Sequence, residues 1–252
     1  MLRSRLGLKV AGLCGLVLGV MAIGATAAQA EVGAHWNVVK SNGELAQVPG
    51  ANDLLPLLEI KEAENNTFSF LWTTAGGTKV AILCTAAKFD EGGRLIANGG
   101  ISLGRLLLTG CVTLLNGVIS PPCKPKTTGK ALGELLSEKF TGLIVLDKLT
   151  SGEVDDFIKF TPDEGKLFFK WEIGVECSIG ELVRVESKAA GEGLWLKDCK
   201  GNAGFLEEKV EHLFEESLHG LIALGQPMTI DGSFWVRLAG EHTGLKWGGT
   251  PG

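Results

Sequence analysis

Short apolar runs, each closed by glycine, set the strongest limit on what this chain can fold into. "TFSFLWTTAGG", "TKVAILC", "GLIVL", "KLFFKWEIG" and "MTIDGSFWVRLAG" are the clearest. Turn signals return about every eight to twelve residues, the spacing of an all-β sandwich or barrel. Several runs alternate apolar and polar side chains, which places one face of a strand on a core and the other in water. Beyond residue 30, glycine makes up 31 of 222 residues, about twice the usual share of roughly 7%. The expected fold is mainly β: an antiparallel sandwich or barrel of short strands with Gly-rich turns and at most one or two short helices.

Particular strands can be placed. Leu57 to Glu62, Thr67 to Thr73 and Thr78 to Phe89 read as three in succession, turned at Asn65-Asn66 and Gly76-Gly77. Asn116-Gly117 between apolar runs is the strongest local hairpin signal, and Pro121-Pro122 ends that hairpin. Its two-residue turn sets Leu115 opposite Val118 and Leu114 opposite Ile119. Leu132 to Phe140 reads equally as helix or strand. "FLEEKVEHLFEESLHGL" breaks the pattern, with apolar residues at 206, 210, 213, 214, 218 and 221. That stripe predicts a helix over 205–219, stopped at Gly220; the rival is a strand through Val210, His212 and Phe214. "GLIVL…KW" and "GLIAL…KW" echo each other, which shared strand composition explains as well as duplication does.

The first thirty residues are of a different kind. Arg3, Arg5 and Lys9 precede an apolar run from Val10 to Ile23, and Ala28-Gln29-Ala30 offers a small-x-small cleavage site before Glu31. This is the layout of a secretory signal peptide. The apolar run is short for a membrane span of about 20 residues, and Cys14 follows a leucine, which suits lipidation poorly. The expectation is a signal peptide at 1–30 and one secreted β-rich domain at 31–252, placed outside the cell or in its envelope. Losing the leader removes three basic residues and no acid, so the formal charge moves from −5 to −8. An acidic chain with scattered lysines, of which only Lys124 and Lys126 are local to one another, lacks the clustered positive surface that nucleic acid needs. No later segment has the length of a membrane-spanning helix.

Five cysteines follow the leader: Cys84, Cys111, Cys123, Cys177 and Cys199. No Cys-x-x-Cys occurs, and both zinc and thioredoxin-like sites lean on that spacing. Export exposes thiols to an oxidising milieu, so the cysteines read as structural. The favoured pairs are Cys177–Cys199, flanking a strand-loop-strand unit, and Cys111–Cys123. The second has a register problem. Cys111 faces Pro122, which leaves Cys123 one place out of line unless the prolines reverse the chain. The rival is Cys84–Cys111 between neighbouring strands, with Cys123 free.

Catalytic constellations are weak. Ser102 in "GISLG" matches Gly-x-Ser-x-Gly formally, but strand-like residues follow it where a nucleophile elbow needs a helix. His212, Glu216 and His219 would share a helix face without His-Glu-x-x-His. Asp155-Asp156, Asp163-Glu164 and Glu241-His242 read as solvated turns. "TTGKAL" lacks the hydroxyl residue after lysine that a phosphate loop uses. No catalytic, cofactor or metal residue is assigned. Six tryptophans with no tyrosine read mainly as packing, and some would line a ligand site. An outer-membrane barrel expects aromatic girdles, which this composition supplies poorly.

Taken together, "ENNTFSFLW…GGTKVAILCTAAKF", "GCVTLLNG", "CSIGE", "LKDC" and "DGSFWVRLAGEHTGLKWGGTPG" resemble uncharacterised secreted, cysteine-containing, β-rich bacterial proteins of actinobacterial type. The resemblance covers most of residues 31–252. It implies export and a shared β-rich fold, and it carries no functional residue. The reading is therefore an exported, non-enzymatic β-domain with a structural or ligand-binding role, without cofactor, its ligand a glycan or an apolar small molecule. Alternatives are a secreted hydrolase whose acids and histidines converge in a cleft, and a lipocalin-like or carbohydrate-binding module.

Overall fold

The computed structural model describes residues 33–47, 57–61, 68–91, 93–148, 154–189, 194–197, 207–212 and 220–250. Its first strands are β1 (His35–Val39), β2 (Leu45–Gln47), β3 (Leu57–Lys61), β4 (Phe68–Thr73), β5 (Lys79–Cys84), β6 (Ala86–Phe89) and β7 (Gly93–Ile96). They are followed by β8 (Gly100–Gly104), β9 (Leu106–Thr109), β10 (Val112–Leu115) and β11 (Val118–Ile119). A 3-10 turn at Pro121–Cys123 leads to β12 (Leu135–Leu136), β13 (Phe140–Lys148), β14 (Val154–Pro162), β15 (Leu167–Glu172) and β16 (Leu182–Ser187). The last strands are β17 (Leu194–Lys197), β18 (Glu207–His212), β19 (Leu221–Ala223) and β20 (Gln226–Ala239), then a 3-10 turn at Gly240–His242, then β21 (Trp247–Thr250). The fold is mainly β, as the period-two runs require.

Two curled sheets share β20, which is 14 residues long. In the first, the pairings run β20-β18-β17-β14-β13-β8-β7-β3, and β3 pairs back onto β20. The return is made by Trp235↔Lys61 through Ala239↔Leu57. Leu95, Ile101, Phe140, Ile144, Ile158, Phe160, Val236 and Leu238 are its buried apolar residues. The small sheet β2-β1-β21 packs nearby. Buried Trp36 donates its indole N–H to the Gly100 carbonyl and meets Trp247 with ring centres 5.7 Å apart.

The second curled sheet uses the first half of β20. Met228 to Gly232 pair with β4, β4 pairs with β5, and β5 pairs with β10. On the other side, β20 pairs with β19, β19 with β16, and β16 with β15. The β5–β10 ladder continues into β6–β9 in the same register, and β9 carries β12. The circuit closes through a bridge between Ser137 and Phe169 and a hydrogen bond of 2.8 Å from the Glu138 amide to the Phe168 carbonyl. The continuous ladder depends on Gly110. It has φ +65°, and a Cβ there would lie 2.1 Å from the Thr85 hydroxyl, so only glycine fits opposite Thr85.

Alternation is clean around this second sheet. Phe68, Phe70 and Trp72 of β4, Val80 and Ile82 of β5, Val183 and Val185 of β16, and Met228 and Ile230 of β20 are buried. Their centre is aromatic: Phe70 lies 5.1 Å from Phe169 and 5.2 Å from Trp171. A bulge between Leu167 and Phe169 lets two neighbouring phenylalanines serve opposite sides. Phe169 joins the Phe70 cluster, whereas Phe168 packs 5.8 Å from Phe140 of the first sheet. Re-aiming a side chain is what a bulge does. Among the described residues, all the buried apolar residues except Leu107 form a single cluster.

The Asn116-Gly117 hairpin forms with the expected register, Leu115↔Val118 and Leu114↔Ile119. Both turn residues have positive φ, 52° and 85°, as this turn demands. Two expectations are corrected. Residues 207–212 form a strand, not the start of a helix. β18 is flanked by β20 along Glu207↔Arg237 to Glu211↔Ser233 and by β17 at Leu196↔His212. Two ladders outweigh the local helical stripe, because sheet formation rewards non-local pairing that propensity does not see. Residues 213–219 lie outside the described residues, as do Asn65 and Asn66. Asp155 and Asp156 stand inside β14 rather than beside a turn, in register with Asp147 and Leu146.

Candidate functional site

One end of the second curled sheet opens into a groove of about 970 Å³. Its wall is built from strand ends that the sequence brings together only through long-range pairing: Trp72 on β4, Val80 on β5, Leu221 on β19 and Met228 on β20. Trp72 faces Val80 on one side and Met228 on the other, so these three side chains form a row across the sheet. All are buried, and half-buried Leu71 and Ile222 extend the apolar lining outward. Two hairpin turns meet at the rim, contributing Gly117 and Gly225. The volume is at the upper end of the range for small-molecule sites, about 300–1,000 Å³.

The polar groups of this groove are few. Lys79 and Lys188 stand at it, with the Gln226 amide and the Thr73 and Thr229 hydroxyls. Both lysines are exposed. The Trp72 indole N–H is buried with no hydrogen-bond partner among the described residues, and so is the Ser187 hydroxyl, next to Lys188. Ser187 is in register with Leu221 of the groove wall. Buried polar atoms in this state cost about 1–3 kcal/mol each, and the Arg105 Nε and the Trp171 and Trp247 N–H groups, away from the groove, share it.

Disulfides hold the surrounding framework. Cys84 joins Cys111 with Cα atoms 4.0 Å apart. The β5–β10 register, with Val112 opposite Leu83, puts these two cysteines directly across from each other. Cys123 joins Cys177, Cα to Cα 4.8 Å. This corrects both favoured pairings, Cys111–Cys123 and Cys177–Cys199. The register problem decides the first: Pro121–Cys123 winds into a 3-10 turn, and Cys123 is carried past the hairpin instead of back to Cys111. The turn is secured by Thr113, whose hydroxyl donates to the Cys123 carbonyl. It then presses on the 174–177 turn so closely that a Cβ on Gly174 would lie 2.2 Å from the Pro122 carbonyl oxygen. Cys199 lies outside the described residues.

A second hollow, of about 500 Å³, is polar and is lined by Arg105, Glu138, Lys139, Asp163, Glu164 and Leu167. It gathers three acids, which the hydrolase alternative needs, and Asp163, Lys139 and Arg105 are engaged by neighbours. The Thr141 hydroxyl donates to Asp163 at 2.7 Å. Lys139 lies 2.7 Å from Glu91, and Arg105 lies 3.9 Å from the same carboxylate. The hydrogen bond from Lys139 holds the Glu91 carboxyl below its ordinary range. No histidine lines this hollow, and no group of three or more metal-ligating side chains forms among the described residues.

The other singled-out residues are dispersed. Ser102 sits in β8, a strand without an elbow. His212 is in β18, so the helical spacing to Glu216 and His219 does not hold at its start. Glu241 and His242 share a 3-10 turn, 4.0 Å apart. Trp36, Trp171 and Trp247 are core packing, and Trp72 alone among the described tryptophan side chains also walls the groove. Lys79 and Lys188 carry no sequence signal of a site, since only the β16–β19–β20–β4–β5 order makes them neighbours of one groove. Among the described residues no helix is long and apolar enough to cross a membrane. No protein-family model matches this chain, and no match was found among curated proteins or solved structures.

Proposed function

We propose that this chain is an exported, non-enzymatic β-domain that binds a small apolar molecule in the groove at the open end of the second curled sheet. The observation that carries the reading is a groove of about 970 Å³ whose half-buried apolar lining, Leu71, Ala81 and Ile222, is backed by buried Trp72, Val80, Leu221 and Met228. A large, mostly apolar concavity with a few polar groups is the usual form of a ligand site. Export is supported by the basic, apolar and small-residue order of the first thirty residues and by two disulfides, which persist in oxidising compartments. Such an architecture, a curled antiparallel sheet taking a ligand at its mouth, is lipocalin-like in manner.

The test is titration of the purified exported protein with a neutral, environment-sensitive fluorophore, N-phenyl-1-naphthylamine. Saturable binding is expected. Leu71→Asp, at a half-buried wall position, is expected to weaken it by about tenfold or more, because apolar pocket contacts are worth roughly 1–3 kcal/mol each. Its melting temperature is expected to stay within about 2 °C, as for substitutions outside the core. Absence of saturable binding, or binding indifferent to Leu71→Asp, would overturn the reading.

A further inference from the structure

We propose that the occupant of the groove is a single-chain amphiphile with an acidic head, a carboxylate or a phosphate, held against Lys79 and Lys188. The inference rests on the groove being a binding site at all. Acids outnumber bases 29 to 24 in the chain, yet no aspartate or glutamate lines this groove, and its two formal charges are both lysines. Four described lysines keep an acid within 4 Å, Lys40 with Glu44, Lys126 with Glu172, Lys130 with Asp90 and Lys139 with Glu91, whereas Lys88, Lys124, Lys166, Lys170 and Lys246 do not; what sets the groove apart is a lining that holds two lysines and no acid. Lys79 and Lys188 have no such acid among the described residues. They stand over an apolar wall with no counter-charge of the protein's own.

The remaining polar groups agree with this. Both charged groups of the groove are ammonium groups, which only donate. An ionised carboxylate or phosphate only accepts, so it matches the two ammonium groups, and the Thr73 and Thr229 hydroxyls and the Gln226 amide can donate to it as well. The apolar chain would lie along Leu71, Ala81 and Ile222, the half-buried apolar residues of the lining, and the head would stay at the rim, partly hydrated. Head and lysines therefore interact at the modest strength of exposed ion pairs, and their effect appears as preference among ligands of equal chain length.

The experiment displaces the neutral fluorophore with dodecanol, dodecanoate and dodecyl phosphate. Both acids are expected to bind about tenfold more tightly than the alcohol, from two exposed pairs. That advantage is expected to shrink as salt rises from about 0.05 to about 1 M, where the Debye length falls to about 3 Å. Lys79→Gln with Lys188→Gln is expected to bring the acids down to the level of the alcohol while leaving the alcohol unchanged. The relative affinity of dodecanoate and dodecyl phosphate tells a fatty acid from a phospholipid-type head. If the alcohol binds as tightly as the acids, or the advantage survives the double variant, the acidic head is wrong and the apolar groove stands. If nothing displaces the fluorophore, both proposals fall.

Discussion

Replacing Trp171 with alanine is expected to cost about 3–5 kcal/mol, the usual range for emptying a buried tryptophan site. For a chain of this size that lowers the melting temperature by roughly 6–20 °C. The reason lies in what Trp171 touches. It is 1% exposed and stacks at an angle on Phe70, 5.2 Å away, with Phe169 at 6.4 Å. These three rings fill the middle of the second curled sheet, where β4 and β15 face each other with no layer between. A cavity there cannot collapse, since the strands on either side are fixed by their ladders. Trp171→Phe separates volume from polarity. The Trp171 N–H is buried without a partner among the described residues, so phenylalanine loses some packing but removes an orphaned donor. Its cost is expected to stay below about 1.5 kcal/mol, as for a swap of one large apolar group for another. Calorimetric melting of both variants checks the pair. Equal losses for phenylalanine and alanine would contradict the packing described.

The Cys123–Cys177 bond produces the second large effect. It closes a separation of 54 residues, twice the 27 of Cys84–Cys111. In the chain-entropy model, loops of these lengths contribute about 4 and about 3.5 kcal/mol. Cys123→Ala with Cys177→Ala is expected to lower stability by about 4 kcal/mol, read as a shift in the denaturant midpoint at unchanged slope. The bond ties the turn after the β10–β11 hairpin to the turn after β15, segments that the single bridge Lys126↔Glu172 also links. Mass mapping of unreduced peptides should recover Cys84 with Cys111 and Cys123 with Cys177. Recovery of a Cys177–Cys199 peptide would contradict this connectivity.

What the sequence made legible and what it did not divide along a physical line. Local chemistry was readable: Asn116-Gly117 set a turn whose register follows from backbone geometry alone, and Thr67 to Thr73 showed its strand by composition. Features decided by distant partners were not. Glu207 to His212 carries a helical stripe, yet β17 and β20 claim it from both sides. Cys111 has Cys84 across the ladder because β5 and β10 pair, and nothing near either cysteine announces that pairing; the rival Cys84–Cys111 was visible only as an inference from neighbouring strands. Cys123 was recognisably out of register with Cys111, and the proline-led 3-10 turn explains where it goes. The groove is the extreme case. Trp72 was one of six tryptophans read mainly as packing, and Lys188 and Leu221 reach its neighbourhood only because β16, β19 and β20 lie side by side.

The central claim, that the open end of the second curled sheet is where this protein binds, is tested most directly by mapping amide chemical shifts while dodecanoate is added to the isotope-labelled protein. The expected shifts concentrate at Leu71 to Thr73, Lys79 to Ala81, Lys188 and Leu221 to Thr229, the strand ends that wall the groove. Shifts centred instead on Arg105, Glu138 and Asp163 of the polar hollow, or no saturable shifts anywhere, would contradict it.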